Sequence, residues 1–280
     1  MPSGLSLHMG LNAVDPKHYA GWSGELVACE ADARDMRAIA RSKGFADTVL
    51  MTASATRAAF LAEMNKAAST LKSGDMFLLT YSGHGGSVPD ASADENDFQD
   101  ETWCLFDGQI IDDELDLLFC KFRPGVRILV LSDSCHSGTV IKQLALAAHY
   151  GWFPAASLPG AKQRYRNMPT QICLSVYLEH QEFYDKVLAE TGKKLKAATL
   201  NATVLLISGC QDSQLSRDGT FNGAFTGALK QAWAGGAFTG NYRNFTNEII
   251  KRINLPDQVP NYYLTGANNL VFEAQRPFTL

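Results

Sequence analysis

The chain has 280 residues, with 25 Lys and Arg against 29 Asp and Glu, and 46% of its residues are hydrophobic. This near-neutral balance provides no basic surface for nucleic acid, and no run approaches the roughly 18 consecutive apolar residues that span a bilayer. The N-terminal sequence lacks the charged segment and apolar core of a signal peptide. We therefore expect a cytoplasmic protein that has neither nucleic acid nor a membrane as a partner.

The six cysteines are scattered along the chain, without a Cys-x-x-Cys pair. A chain of this size can build a hydrophobic core without covalent cross-links. We therefore expect neither a disulfide scaffold nor a zinc site, and no organic cofactor.

Apolar runs alternate with helical patterns along the sequence. In chain order the predicted elements are a strand at Leu5–Leu11, a helix at Glu25–Ser42, a strand at Asp47–Met51, a helix at Ala55–Leu71, a strand at Met76–Tyr81, a helix at Asp112–Phe119, and strands at Val126–Ser132 and Val204–Ser208. Strands that are apolar throughout must be covered on both faces. The predicted fold class is therefore α/β, a three-layer sandwich whose central sheet is mostly parallel, with helices on both faces.

Nothing in the composition divides the chain into independent parts. We predict one domain over residues 1–280, with a catalytic core at 1–141, an inserted or linking region at 142–200 and a C-terminal part at 201–280. Such a chain is expected to be a monomer.

Each of the three strongest predicted strands ends in polar, glycine-containing residues. These sequences are Ser82-Gly83-His84-Gly85-Gly86, Asp133-Ser134-Cys135-His136-Ser137-Gly138 and Gly209-Cys210-Gln211-Asp212. In parallel sheets, ligands and reacting groups gather at the carboxyl ends of the strands. We therefore expect one reactive site where these three strand ends meet.

A nucleophilic cysteine is the chemistry that these strand ends favour. Cys135 lies between a buried strand and a segment of helical character, where a thiolate is stabilised, and His84 at a neighbouring strand end can act as its base. The glycines beside His84 let a substrate backbone approach and leave N–H groups to bind an oxyanion.

The motifs around His84 and Cys135 together resemble the metacaspase branch of the caspase-like cysteine peptidases, in the bacterial form called orthocaspases. The resemblance extends to Cys29-Glu30-Ala31-Asp32, to Ile110-Ile111-Asp112-Asp113-Glu114-Leu115 and to Ser208-Gly209-Cys210-Gln211-Asp212-Ser213-Gln214, whereas about 142–200 matches poorly. It implies the caspase-hemoglobinase fold and hydrolysis of peptide bonds after Arg or Lys.

The resemblance also implies roles for individual residues. Cys135 would attack the scissile carbonyl, His84 would be the base and then the acid, and the N–H groups of Gly85 and Cys135 would bind the oxyanion. The pocket for the basic side chain would contain Cys29, Asp32, Ser82, Asp133 and Asp212. Paired carboxylates suit a guanidinium, although Asp133 could instead cap a helix and Asp32 could be an exposed helix charge.

Calcium is a further implication of the resemblance. The residues from Asp90 to Asp116 include no Lys or Arg, and Asp97, Asp112 and Asp113 are the candidate ligands of a hard cation. Asp112 and Asp113 are equally well explained as acids in the first turn of a helix.

Two other functions are compatible with parts of this sequence. An α/β-hydrolase esterase with a cysteine nucleophile would need a Gly-x-Ser-x-Gly elbow and a histidine late in the chain. Here Asp133 and Ser137 replace the elbow glycines, and no histidine follows His180. A caspase-like scaffold would bind peptides without cutting them. The substrates that we expect are peptides or proteins with Arg or Lys before the scissile bond.

Self-cleavage is the last expectation from the sequence. Lys162, Arg164 and Arg166 lie in the long interval before the last predicted strand, where breaking residues such as Gly160 and Pro169 favour an exposed loop. The interval would be structural instead if Tyr165 and Met168 packed it down, or if Gln171–Ala189 formed a helix that covered the active site.

Overall fold

The computed structural model describes residues 2–89, 99–134, 165–210, 216–219, 221–255 and 258–280. Its strands are β1 (Gly4–Gly10), β2 (Ala46–Met51), β3 (Met76–Ser82), β4 (Gly85–Pro89), β5 (Gln99–Leu105), β6 (Gly108–Ile111), β7 (Arg127–Asp133), β8 (Thr203–Ser208) and β9 (Asn261–Gly266). Its α-helices are α1 (Cys29–Ser42), α2 (Arg57–Thr70), α3 (Asp112–Phe119), α4 (Thr170–Glu179), α5 (Gln181–Leu195), α6 (Ala224–Trp233), α7 (Tyr242–Ile253) and α8 (Leu270–Ala274).

Six strands form the main sheet, in the order β2-β1-β3-β7-β8-β9. The first five are parallel to one another, and β9 is antiparallel to β8. The strands β4, β5 and β6 form a separate antiparallel sheet, which begins beside the carboxyl end of β3.

The central strand β3 shows why both faces of the main sheet are covered. All seven of its residues are buried, and successive side chains point to opposite faces. Phe77 and Leu79 pack with Phe60 of α2 on one face, whereas Leu78 packs with Phe225 of α6 on the other. The predicted three-layer α/β sandwich is therefore confirmed.

The predicted elements lie where the sequence places them, with small shifts at their ends. The largest shift is at α1, which begins at Cys29 rather than at Glu25 because residues 11–28 form an irregular loop. Sequence reasoning missed the β4-β5-β6 sheet, whose short strands contain glycine, proline and acidic residues, and it missed β9 and α6 to α8. The helix considered over Gln171–Ala189 is present as two helices, α4 and α5. In the described residues, no helix is long and apolar enough to cross a membrane.

Candidate active site

The carboxyl ends of β3 and β7 lie side by side and form the base of the site. Their register pairs Ser82 with Asp133, the last residue of each strand. Asp32, in the first turns of α1, lies above them, and its carboxylate accepts a 2.8 Å hydrogen bond from the Ser82 hydroxyl. Parallel pairing thus brings three residues together that are far apart in the sequence.

The side chain of Arg166 occupies the space between these residues and is completely buried. One terminal nitrogen, Nη1, donates to the Ser82 hydroxyl at 2.8 Å and to the Asp133 carbonyl at 3.0 Å, and lies 3.0 Å from Asp133 Oδ2. The other, Nη2, donates to Asp32 Oδ2 at 2.8 Å and to Asp218 Oδ1 at 3.0 Å. An arginine from the chain itself therefore lies in a pocket of three carboxylates.

The protein holds two of these carboxylates in place with its own donors. Asp133 accepts hydrogen bonds from the hydroxyl of Ser216 and from the main chain and hydroxyl of Thr226. Asp32 accepts from the side chain of Asn222 and from the Gly223 N–H. Such bonds preorganise the carboxylates for a cation.

The charges in this pocket depend on one another. Burial raises the pKa of Asp32, and the neighbouring charge of Arg166 opposes that rise. Burial alone would lower the pKa of Arg166, but Asp133 and the other surrounding acids raise it above its ordinary value. The arginine therefore stays charged and stabilises the charged form of the acids around it.

Backbone hydrogen bonds hold the segment around Arg166 on both sides. Gly85 N–H donates to the Arg166 carbonyl at 2.9 Å, and Met168 N–H donates to the Gly85 carbonyl at 2.7 Å. On the other side, Arg166 N–H donates to the Ser216 carbonyl at 3.0 Å. Two isolated bridges thus join the segment 165–168 to β4 through Gly85 and to Arg217.

His84 lies beside this segment and is buried. Its Nε2 is 3.0 Å from the Gly24 carbonyl, and its ring packs on Trp22 with the centroids 4.7 Å apart. Because a carbonyl can only accept, Nε2 carries the hydrogen in the neutral ring, which leaves Nδ1 as the basic nitrogen. Nδ1 has no hydrogen-bond partner in the described part of the chain. Burial lowers the pKa of His84 to about 4, while the carbonyl of Gly24 and the backbone of Asn167 oppose this shift.

Some of the site residues predicted from the sequence lie in this pocket, one lies beside it, and others are outside the described residues. His84, Gly85, Asp32, Ser82 and Asp133 all touch the segment that carries Arg166 or line its pocket. Cys29 lies next to them, and burial raises the pKa of its thiol to about 12, so this thiol is not a nucleophile. The predictions for Cys135, Asp212 and Asp97 lie outside the described residues.

An acidic cluster lies on the small sheet and the start of α3. Asp112 is the first residue of α3, and burial together with the charges of Glu101 and Asp100 raises its pKa to about 8. A hard cation such as Ca²⁺ binds carboxylate oxygens, and it would relieve the repulsion among these acids. Within the described ranges, however, no three metal-binding side chains are arranged around a common point.

Sequence reasoning missed two contributors to this site. Asp218 was not expected in the pocket, because its position before Gly219 is typical of an ordinary turn. Gly24 contributes only a backbone carbonyl, which leaves no signal in the sequence. Arg166 was expected in an exposed loop, whereas it is among the most deeply buried side chains.

Comparisons with known proteins agree with this architecture. The family model described as a caspase domain matches residues 13–271. The chain is 31% identical over 259 residues to metacaspase-1A of Aspergillus clavatus and 32% identical over 247 residues to metacaspase-1A of Aspergillus fumigatus, which covers 82% and 78% of this chain. It spans 57% and 58% of the length of these two relatives.

Two solved structures are also similar. The crystal structure of protein GSU0716 from Geobacter sulfurreducens has a TM-score of 0.87 and 52% identity, and 99% of each chain is covered. Caspase-1 from Spodoptera frugiperda has a TM-score of 0.53 at 12% identity, covering 95% of this chain and 86% of that one, so this likeness concerns the fold alone.

Proposed function

Because the chain belongs to the caspase-domain family and resembles its metacaspases, we propose that it is a cysteine endopeptidase that cuts peptide bonds after Arg or Lys. The observation that supports this most directly is the placement of Arg166. Its side chain lies among three carboxylates, its carbonyl faces the Gly85 N–H, and the residue after it adjoins His84. A substrate arginine would use the same contacts.

The proposed reaction uses Cys135 as nucleophile and His84 as base. Nδ1 of His84 takes the thiol proton, and the sulfur adds to the carbonyl carbon of the basic residue. The developing oxyanion is stabilised by the N–H of Gly85, which already binds a carbonyl at this position. The C–N bond then breaks, and His84 gives its proton to the leaving amine. Water hydrolyses the resulting thioester, so that the new C-terminal carboxylate and the free thiol are formed.

We also propose that the chain cuts itself after Arg166. Of the three basic residues expected as cleavage sites, Arg166 is the one that the described residues include, and its carbonyl lies where a scissile carbonyl would be bound. Until that cut is made, the arginine competes with any other substrate for the pocket, because both need the same carboxylates. The uncut chain should therefore be latent.

Calcium binding at the acidic cluster remains a separate proposal. The carboxylates of Asp100, Glu101 and Asp112 are close enough to raise the pKa of one of them, and Asp97 and Asp113 would add oxygen ligands. The strand β5, which carries Asp100 and Glu101, pairs with β4, whose first residue is Gly85. A bound cation would thus stabilise the sheet that supplies the oxyanion donor.

We further propose that the protein is a monomer and is cytoplasmic. Sedimentation of the purified protein would test the first proposal, and cell fractionation would test the second.

A panel of fluorogenic peptides that differ only before the scissile bond tests the proposed activity. We expect cleavage after Arg or Lys and none after Asp or Leu, because the acidic pocket repels Asp and offers Leu no compensation for burying carboxylates. Each peptide is measured with and without calcium. A peptidyl-arginine electrophile should also label Cys135, whereas an esterase would not prefer a basic peptide and a scaffold would not react.

The substitution Asp133→Ala tests the acidic pocket directly, because it removes one of the carboxylates that contact the arginine side chain. It should lower kcat/KM for arginine peptides about tenfold or more, since a charged hydrogen bond is worth about 1.5 kcal/mol or more. A preference for Asp or Leu peptides in the wild-type protein would overturn the proposal.

A further inference from the structure

Asp218 differs from the other two acids of the pocket in how it is held. Asp32 and Asp133 each accept several hydrogen bonds from the protein itself. In the part of the chain that the structure describes, Asp218 accepts one such bond apart from that of Arg166, from the Val27 N–H to Oδ2 at 2.9 Å. Within the described residues, its other oxygen, Oδ1, has Arg166 Nη2 as its one partner. The Asp218 carboxylate therefore depends on the bound cation more than its neighbours do.

The side chain of Asp218 is only 1% exposed. A buried carboxylate without a charged partner is costly, because water no longer stabilises its charge. Any basic side chain that enters this pocket must therefore reach Asp218 or leave that cost in place.

Arginine and lysine differ in their ability to do so. The two terminal nitrogens of Arg166 contact separate groups: Nη1 faces Ser82 and Asp133, and Nη2 faces Asp32 and Asp218. A lysine ammonium is one nitrogen with three hydrogens, so it cannot occupy both positions. If it lies near Asp133 and Ser82, Oδ1 of Asp218 loses its partner.

We infer that Asp218 is the residue that makes this pocket prefer arginine to lysine. The inference deepens the proposed function, on which it rests for the identity of the pocket as the substrate site. Asp32 and Asp133 bind either basic side chain, because both stay hydrogen-bonded to the protein. Asp218 adds a favourable contact for the second guanidinium nitrogen and an unfavourable buried charge for lysine.

The substitution Asp218→Asn separates these effects with little change in shape. The Val27 N–H requires an acceptor, so the amide oxygen of the new side chain would turn toward it. The NH₂ group would then face Nη2 of the arginine, and two donors cannot bond to each other. The buried charge that penalises lysine is removed at the same time.

A thermal unfolding cycle tests the inference without any catalysis. All proteins carry Cys135→Ala so that the chain stays intact, and Arg166→Lys is measured with Asp218 present and with Asp218→Asn. Arg166→Lys should lower Tm in both backgrounds. We expect the decrease to be about 3 °C or more larger with Asp218 than with Asp218→Asn, because two residues in direct contact are energetically coupled. Equal losses in the two backgrounds would overturn the inference.

A peptide assay gives the second readout, with paired substrates that differ only by Arg or Lys before the scissile bond. Asp218→Asn should reduce the arginine-to-lysine ratio of kcat/KM at least about tenfold. Glu25→Gln is the matched control, because it removes one charge from the exposed loop next to Val27 without a pocket contact. The same ratio in Asp218→Asn and wild type would contradict the inference.

The two experiments also separate this inference from the proposed function. If wild-type protein that has been cut after Arg166 cleaves neither peptide, the proposed function fails, and the unfolding cycle still decides whether Asp218 distinguishes the two side chains. If Arg166→Lys does not fold, the peptide ratio decides instead.

Discussion

The main-chain N–H of Gly85 lies 2.9 Å from the carbonyl oxygen of Arg166 and donates a hydrogen bond to it. Gly85 follows His84 directly, so the base and the proposed oxyanion donor are adjacent in the chain. The same carbonyl belongs to the residue whose side chain fills the acidic pocket. One residue of the chain thus has the contacts that a bound substrate would need.

The first prediction concerns the catalytic pair. Cys135→Ala and His84→Ala should each lower kcat/KM about a thousandfold or more, and the double variant should lose little more, because nucleophile and base act as one unit. The assay is cleavage of an arginine peptide. His180→Ala is the control, since this imidazole stacks on His18 away from the pocket and should leave activity nearly unchanged. More than about a tenth of the activity in folded Cys135→Ala would rule out this pair.

The second prediction concerns self-cleavage. Purified wild-type protein should produce fragments 1–166 and 167–280, and mass spectrometry identifies them by their masses. Arg166→Ala should abolish this cut, because the pocket then holds no cation and the carbonyl is no longer positioned. Arg164→Ala serves as the control and should be cut normally. Full-length wild type that is active on arginine peptides would show that the cut is dispensable.

The third prediction concerns what remains in place after that cut. Met168 is completely buried against residues such as Val88 and Val176, and its N–H donates to Gly85. Burial of a methionine side chain stabilises the packed state by about 1.5–3 kcal/mol. We therefore expect the segment after Arg166 to stay docked while the segment before it leaves the pocket.

Hydrogen exchange of the cut protein measures this difference. Amides at 168–176 should remain protected after cleavage. The Arg166 N–H, which donates to the Ser216 carbonyl in the uncut chain, should lose its protection. Cys135→Ala protein, which stays uncut, gives the reference rates. Loss of protection at 168–176 on cleavage would show that the whole segment dissociates.

The fourth prediction concerns stability against pH. His8 is buried in β1, where its ring bonds to Ser6 and Thr80, and burial lowers its pKa to about 3. Since the unfolded chain binds the proton more tightly, this group destabilises the fold as the pH falls from about 6.5 toward 3. Between pH 7 and pH 5 the loss from this one group is about 2 kcal/mol.

Urea unfolding at the two pH values checks this figure. His8→Gln, which retains hydrogen-bonding atoms without titrating, should reduce the loss between pH 7 and pH 5 by about 2 kcal/mol, whereas the losses from His84 and His18, whose pKa values burial also lowers, should remain. Comparison of variant with wild type is needed because Asp32 and Asp112, whose pKa values are raised, contribute with the opposite sign. An unchanged difference between the two pH values in His8→Gln would exclude His8 as the source.

The fifth prediction concerns calcium. Millimolar calcium should raise Tm by about 3 °C or more, since a ligand that binds only the folded state stabilises it. Asp112→Asn should remove this shift, because it takes a carboxylate from the centre of the acidic cluster. Asp116→Asn, on the same helix, is the control and should keep the shift. No response of wild type to calcium would contradict a site here.

The sequence determined the architecture and the location of the site. Apolar strands such as Met76–Ser82 must be covered on both faces, so the alternation of strands and helices already indicates the sandwich. The glycines and polar residues that follow these strands mark the edge of the sheet where Ser82, His84 and Asp133 meet. Those features depend on periodicity and on short motifs, which are local properties of the chain.

Only the tertiary structure decided what lies in the pocket. Arg166 and Asp218 come from segments without regular secondary structure. Arg166 contacts Asp32, 134 positions away, and Asp218, 52 positions away. No local pattern encodes such contacts, because they depend on how loops pack after the sheet has formed. The sequence therefore predicted an acidic pocket, whereas the fold determined that Asp218 belongs to it and that the chain's own arginine fills it.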